Sequence, residues 1–276
     1  MSRHRYGVSN LLLELLMIAA AGVIFFPVYV LINLSLKSRG EVTRDPLGLP
    51  ADFLFSNYKQ AWQEASLGRA ILSSTVITAS SVVLLVALGS IASFALARRA
   101  SRLSYAAYLL FLLGLVLPFQ LALIPLYQLV RDLHLIGTYW SMIGFYTGLQ
   151  LPFTIFLYTG FLRALPRDYE QAAMIDGASQ LEAFAQVVFP LLRPVTGTVL
   201  VLNAIFIWND FLTPLLYLSG TDRQTIPVAI SSFVGQYVAQ WQLVFAGLVI
   251  AIMPILLVYF LLQRSIIKGF ASGLKG

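Results

Sequence analysis

Hydrophobic positions along this chain come in long unbroken runs, not in alternation. Residues 15–36, 70–97, 103–130 and 135–162 contain no Asp, Glu, Lys or Arg, and 196–218 is interrupted only by Asp210. A last run covers 243–263. A helix rises about 1.5 Å per residue, so roughly 20 apolar residues cross a bilayer core of about 30 Å. The pattern therefore predicts an all-α fold with six transmembrane helices, at about 15–36, 70–97, 105–128, 137–162, 196–218 and 243–263. Strand-length alternation bounded by turns, the mark of a membrane barrel, is missing. Pro118, Pro125 and Pro152 fall inside these runs and are expected to disturb helix ladders there.

Composition agrees. The 276 residues are 59% hydrophobic and 11% charged, with a mean hydropathy of +0.82. A soluble domain is roughly 45–50% apolar and about 25% charged, so a soluble globular protein is excluded. There are no cysteines, which removes disulfides, zinc-thiolate sites and thiol nucleophiles. The two histidines, His4 and His134, lie outside the apolar runs, so no metal site is expected. The dipeptide Gly-Lys does not occur, and with it goes any phosphate-cradling P-loop. Any ATP must be bound by another chain. The net charge of +6 reads as basic residues flanking spans, not as a nucleic-acid surface.

Orientation follows from those basic residues. Six spans put both termini on one side, together with eleven Lys and Arg, including Arg98, Arg99, Arg102, Arg163, Arg167 and Arg193. The other side carries seven, five of them in the single long loop 37–69. The termini are therefore expected in the cytoplasm. Arg3 and Arg5 before an apolar run resemble a signal peptide, but Glu14 interrupts that run and the apolar stretch continues to Leu36. An uncleaved first span is expected.

The segment 166–190, between the fourth and fifth spans, carries Asp168, Glu170, Asp176 and Glu182. Pro166 suits a first helical position, and Asp168 and Glu170 favour a helix N-terminus. A short helix should end at Asp176-Gly177, where glycine can turn left-handed. Ser179 with Glu182 three residues on is a capping box that starts a second helix. Ala172 and Ala173 leave a small face that fits a groove on another protein. The same residues also suit a solvated hairpin with ordinary caps.

Here a family resemblance enters. Gln171-Ala172-Ala173, three residues, Gly177, nine residues, then Val187-Val188-Phe189-Pro190 resembles the EAA motif of ABC importer permeases. The form Glu170-Gln171-Ala172-Ala173-Met174-Ile175-Asp176-Gly177-Ala178, with Phe184 and Pro190 to Pro194, is similar to carbohydrate importers of the maltose-permease type, shorter subunit. Asn57-Tyr58, Ile124 to Tyr127, Phe161 to Pro166 and Trp208 to Phe211 fit as well. Gln171 stands where the motif has its first Glu, with Glu170 beside it to supply the charge. The resemblance implies a type I ABC importer permease-like fold, a single transmembrane domain over 1–276. It implies a permease subunit of an ATP-driven, binding-protein-dependent sugar importer in a prokaryotic inner membrane, working by alternating access. It implies a second homologous permease, two nucleotide-binding ATPase subunits and an extracytoplasmic solute-binding protein as partners, with ATP and Mg on the ATPase and no cofactor or catalytic residue on this chain. The coupling residues would be Glu170, Gln171, Ala172, Ala173, Asp176, Gly177 and Ala178. In that family the loop 219–242 reaches the binding protein, and the tail 268–276 is expected to contact the ATPase along an extended path.

The interior of the spans bears on substrate. Gln120, Gln128, Gln150, Asn203 and Asn209 supply uncharged amides, and Tyr127, Tyr146, Tyr158 and Trp208 supply ring faces, which suits sugar hydroxyls and C–H surfaces. No Lys or Arg lies inside any span, which disfavours an anionic substrate. The amides equally suit interhelical hydrogen bonds. Asp210 is costly at the membrane centre, roughly 2.5–3.5 kcal/mol on insertion scales, and suits a cavity lining or gate, a structural pairing, or a place near the interface. An ion-coupled secondary transporter of a small polar solute is the alternative; Asp210 is its only deep ionisable residue, and no inverted repeat is visible.

Overall fold

The computed structural model describes residues 8–235 and 239–273. The chain order is α1 (Val8–Ser35), α2 (Arg39–Arg44), α3 (Ser56–Glu64), α4 (Leu67–Arg98), α5 (Arg102–Val116), α6 (Leu123–Asp132), α7 (Tyr139–Ala164), α8 (Asp168–Ile175), α9 (Gln180–Leu191), α10 (Arg193–Asn209), α11 (Leu212–Leu218), α12 (Ile226–Ser231) and α13 (Trp241–Gly273). A 3-10 turn, Phe119–Ala122, precedes α6, and residues 184–188 of α9 form a π turn. Among the described residues the only β pairing is an isolated bridge between Val234 and Ala239. The all-α class expected from the hydrophobic pattern is observed.

Among the described residues two helices are long and apolar enough to cross a membrane by themselves, Leu11–Ser35 and Leu67–Arg98. Two more spans result if bent pairs are joined. In the first pair, Arg102–Val116 and Phe119–Asp132 meet at 90°. The cause is Pro118: it has no N–H for the ladder, and it drives Leu117 to an extended ψ of 123°. The expected third span is thus two helices. Pro125 is absorbed in the first turn of α6, and Pro152 sits inside an unbroken α7. In the second pair, Gln180–Leu191 and Arg193–Asn209 meet at 74°. The expected fifth span, 196–218, starts after that bend and breaks once, at Asp210-Phe211 before α11. The sixth expected span lies within α13, which stays helical through Gly273. An extended tail from Lys268 is therefore replaced by helix as far as Gly273, and Leu274 to Gly276 lie outside the described residues.

The chain forms two compact units, residues 1–67 with 229–253, and residues 68–228 with 254–276. In the first, polar side chains fold the end of α1 against α2 and α3. Asn57 is buried and donates to the carbonyls of Ser35 and Lys37, both at 2.9 Å. Asn33 donates to Pro46 and Gly48, and Lys37 to Asp45. Ser38 and Glu41 form a capping box on α2. Backbone N–H bonds from Ser38 and Ala51 hold the Glu41 carboxyl below the ordinary carboxylate range.

Among its described residues the second unit has two apolar cores. One gathers Ile77, Leu85, Met142, Tyr146, Ile207 and Tyr217, from α4, α7, α10 and α11. The other gathers Phe94, Tyr158, Leu162, Phe184, Val188 and Leu192, joining α9 to α4 and α7. Small residues let α4 approach α7 closely, as in membrane helix pairs generally. A Cβ on Gly89 would sit 2.4 Å from Thr154 Cγ2, and Ser93 Oγ donates to the Ile155 carbonyl at 3.2 Å.

Candidate functional site

The segment 166–190 folds as the caps dictate. Helix α8 begins at Asp168, two residues later than Pro166 suggested, because Leu165 before the proline is extended and ends α7 instead. At its other end Gly177 has φ +95°. The Gly177 N–H reaches the Met174 carbonyl at 3.1 Å, and the Ala178 N–H reaches Ala173 at 3.0 Å. These two bonds are the Schellman pair that satisfies orphan carbonyls at a helix end. Ser179 then caps α9: the Glu182 N–H donates to Ser179 Oγ, and the Ser179 N–H donates to Glu182 Oε2 at 2.8 Å. Those bonds from Ser179, side chain and backbone, hold the Glu182 carboxyl below its ordinary range.

The result is a projecting turn. Gln171, Ala172, Asp176 and Gly177 are exposed, and Ala173 and Ala178 are half-buried. Tyr169, Met174, Ile175 and Leu181 are exposed around them, Ile175 at 85%. Nothing lies within 4 Å of a Cβ built on Gly177.

Glu170 faces the other way. Its carboxylate accepts from Arg98 Nε at 2.9 Å, and the two side chains are 7% and 9% exposed. The same guanidinium donates to the carbonyls of Leu162 at 3.0 Å and Leu165 at 3.3 Å. Those carbonyls lie at the C-terminal end of α7, where carbonyls run out of helical partners; Leu162 also accepts from the Leu165 N–H at 3.3 Å. One arginine at the end of α4 thus joins α4, α7 and α8. In the sequence Arg98 counted only toward orientation, and Glu170 as a helix N-terminal acid and a charge for a partner. No short-range signal links residues 72 apart.

Asp210 occupies the break between α10 and α11. Its Oδ2 accepts from the Tyr146 hydroxyl at 2.9 Å, and its Oδ1 accepts from the N–H of Leu212, the first residue of α11, at 3.1 Å. Tyr146 is fully buried on α7. Tyr127 is half-buried, with its ring 5.9 Å from that of Tyr217 in the same core. Trp208 is buried. Asn203 is fully buried, donating to Thr154 Oγ1 at 3.3 Å and to the Val199 carbonyl at 2.9 Å. Asn209 is exposed and bonds back to Ile205 at 2.8 Å. Gln120 is exposed on the 3-10 turn and Gln150 half-buried on α7; neither bonds Asp210. The structure therefore gathers Tyr146, Asp210, Tyr127 and Trp208 near the α10–α11 break and leaves Gln120 apart from them in bonding. In the loop after α11, Arg223 is tied down, donating to the Gly137 carbonyl at 2.9 Å with its guanidinium over the Tyr139 ring.

Tyr146→Phe is expected to leave one oxygen of the half-buried Asp210 carboxylate without its tyrosine partner, at a cost of about 1–3 kcal/mol. Tyr158→Phe removes only a neutral pairing with Thr196 at 3.0 Å and should cost about 0.5–1.5 kcal/mol. Thermal unfolding midpoints of the two purified variants check the order.

Residues 85–272 match the family model described as the binding-protein-dependent transport system inner membrane component. The chain belongs to that family. Among curated relatives it is 36% identical to the melibiose/raffinose/stachyose import permease MelC of Bacillus subtilis over 90% of each chain. It is 33% identical to AmyC of Thermoanaerobacterium thermosulfurigenes, a probable starch degradation products permease, over 96% of this chain and 97% of that one. A solved chain of a bacterial ABC transporter involved in import of the acidic polysaccharide alginate shares the fold, with a TM-score of 0.81 at 20% identity, covering 96% and 98%. The permease is thus a multi-pass inner-membrane component of an ABC transport system. The matched range takes in Arg98, the whole 166–190 segment and Asp210.

Proposed function

We propose that this permease forms part of the translocation pathway of an ATP-driven importer of neutral di- or oligosaccharides. The observation that carries the reading is the coupling segment: an ordered turn at Gly177 with exposed apolar neighbours, held to the spanning helices through Glu170 and Arg98. In this reading Gln171, Ala172, Ala173, Asp176, Gly177 and Ala178 meet a groove on an ATPase subunit, while Glu170 positions the segment from beneath. A pair of such subunits binds ATP and Mg and hydrolyses the ATP; this chain supplies no catalytic residue, cofactor or metal ligand. A second, homologous permease completes the pore, and an extracytoplasmic binding protein delivers the sugar. Both termini and the 166–190 segment lie in the cytoplasm, supported by the distribution of Lys and Arg. Relatives named for raffinose-type sugars and starch fragments support the substrate class. So does the absence of Lys and Arg from the long apolar runs 70–97, 103–130, 135–162 and 196–218. Tyr127, Trp208, Asn209, Asp210, Gln120, Gln150 and Asn203 remain the residues proposed for the pathway, with Asp210 held by Tyr146 at its helix break.

Tagged permease is expected to bring down an ATPase subunit and a second permease. Proteoliposomes holding that complex should take up labelled oligosaccharide only with ATP inside and binding protein outside. Uptake driven by an ion gradient without ATP would replace this reading with secondary transport. Competition by uronic-acid oligosaccharides but not neutral ones would overturn the substrate class.

A further inference from the structure

The helix ends beside the Arg98–Glu170 joint enclose a second feature. A recess of about 450 Å³ is lined by Arg99, Ser101, Arg102, Tyr105, Arg163 and Arg167. These residues come from the end of α4, the start of α5, the end of α7 and the step into α8. None of the four arginines has a carboxylate within ion-pair distance among the described residues. Of the acids facing this region, Glu170 is committed to Arg98, and Asp168 pairs with none of them. Arg163 is steadied by stacking over the Tyr108 ring, 4.6 Å from its centroid. Four unneutralised guanidinium groups around one concavity favour a ligand carrying phosphate, which accepts their planar fork in two parallel bonds.

The surroundings point to a lipid as the source of that phosphate. The recess lies at the end of charge-free spans, at the level where headgroups sit, and Leu103 (80% exposed) and Tyr105 (59% exposed) flank it with apolar and amphipathic surface for acyl chains. Basic pockets between spanning helices on the cytoplasmic side suit anionic headgroups. We propose that this recess binds the headgroup of an anionic phospholipid, one bearing two phosphates being the best match to four cations. The proposal rests on the cytoplasmic placement of the 166–190 segment. Bilayer charge is thereby read next to the joint that holds the coupling helix.

The test uses the whole transporter complex in nanodiscs of phosphatidylcholine alone or with cardiolipin or phosphatidylglycerol, followed by native mass spectrometry of retained lipid. Cardiolipin should be retained over phosphatidylcholine. Removing one basic residue near an anionic surface weakens attraction about fivefold, so Arg102→Gln with Arg163→Gln should weaken cardiolipin retention roughly 25-fold. Arg193→Gln, outside the recess, should change it less than twofold. Equal retention of both lipids by the wild type, or full retention by the double variant, overturns the proposal; the wild-type comparison does not depend on any variant folding. Displacement of cardiolipin by inorganic phosphate at equal concentration assigns the recess to a soluble anion and also overturns it. ATPase subunits still bound in the double variant show that a loss of lipid is not a loss of the transporter assembly.

Discussion

Replacing Arg98 by alanine is expected to uncouple transport while leaving the spans inserted. The substitution strands the Glu170 carboxylate at a site where both side chains are less than a tenth exposed, and removes the donors to Leu162 and Leu165. Breaking a buried pair from one side costs about 3–5 kcal/mol, because the remaining charge has lost its only compensation. The second core, with Phe94, Phe184 and Val188, stays intact, so α9 keeps its seat while α8 loses its tie. Protease cleavage after Arg163 and Arg167 should speed up, and ATP hydrolysis should no longer track sugar uptake. Arg98→Lys keeps the charge but not the fork that reaches three acceptors, and should fall between. Replacing both partners by methionine separates two effects. An apolar pair in place of a buried ion pair is often neutral for stability, yet it has no directional bond to fix the angle of α8. Wild-type uptake per ATP in the Met/Met variant would show that the joint is structural only.

Gly177→Leu should abolish productive association with the ATPase. A side chain at φ +95° carries a backbone cost of about 1–2 kcal/mol, and the Schellman bonds to Met174 and Ala173 depend on that conformation. Within this chain an added Cβ meets nothing, since no atom lies within 4 Å of it. Gly177→Ala and Gly177→Leu therefore share the backbone strain and differ only in bulk offered to a partner. Equal thermal stability for the two, with a much weaker ATPase pull-down for leucine, is the signature of a docking surface. Gly177→Asn, which tolerates left-handed backbone best, should be the mildest. If leucine and alanine behave alike in pull-down and uptake, the turn is a solvated hairpin and the coupling role falls.

What was legible in the sequence is what short stretches decide for themselves. Runs without charge become helices because backbone groups in lipid must be satisfied within the segment. The capping box of Ser179 and Glu182 and the Gly177 stop involve atoms a few residues apart, and they form where the spacing put them. The break at Pro118 is as local, a missing donor and a restricted neighbour. The family resemblance rests on the same kind of contiguous residues, Gln171 to Pro190 above all.

Tertiary structure decided which face of each helix looks inward, and with it the chemistry of the polar residues. Glu170 and Gln171 are neighbours in sequence, yet one is buried against Arg98 and the other is exposed, because packing against α4 and α7 selects the face of α8. Asp210 was compatible with gate, pairing or interface in the sequence, which could not show its bond to Tyr146, 64 residues away. Asn203 and Asn209 look alike as amides in one span, but one is sealed between helices and the other exposed at a helix end. The bend of α5 on α6 follows from one proline; the recess of four arginines does not, since it needs the ends of three separate helices to meet. Local backbone chemistry was set by the sequence alone, whereas charge pairing and burial waited on contacts between residues far apart in the chain, whose energies depend on distances that only the packed helices define.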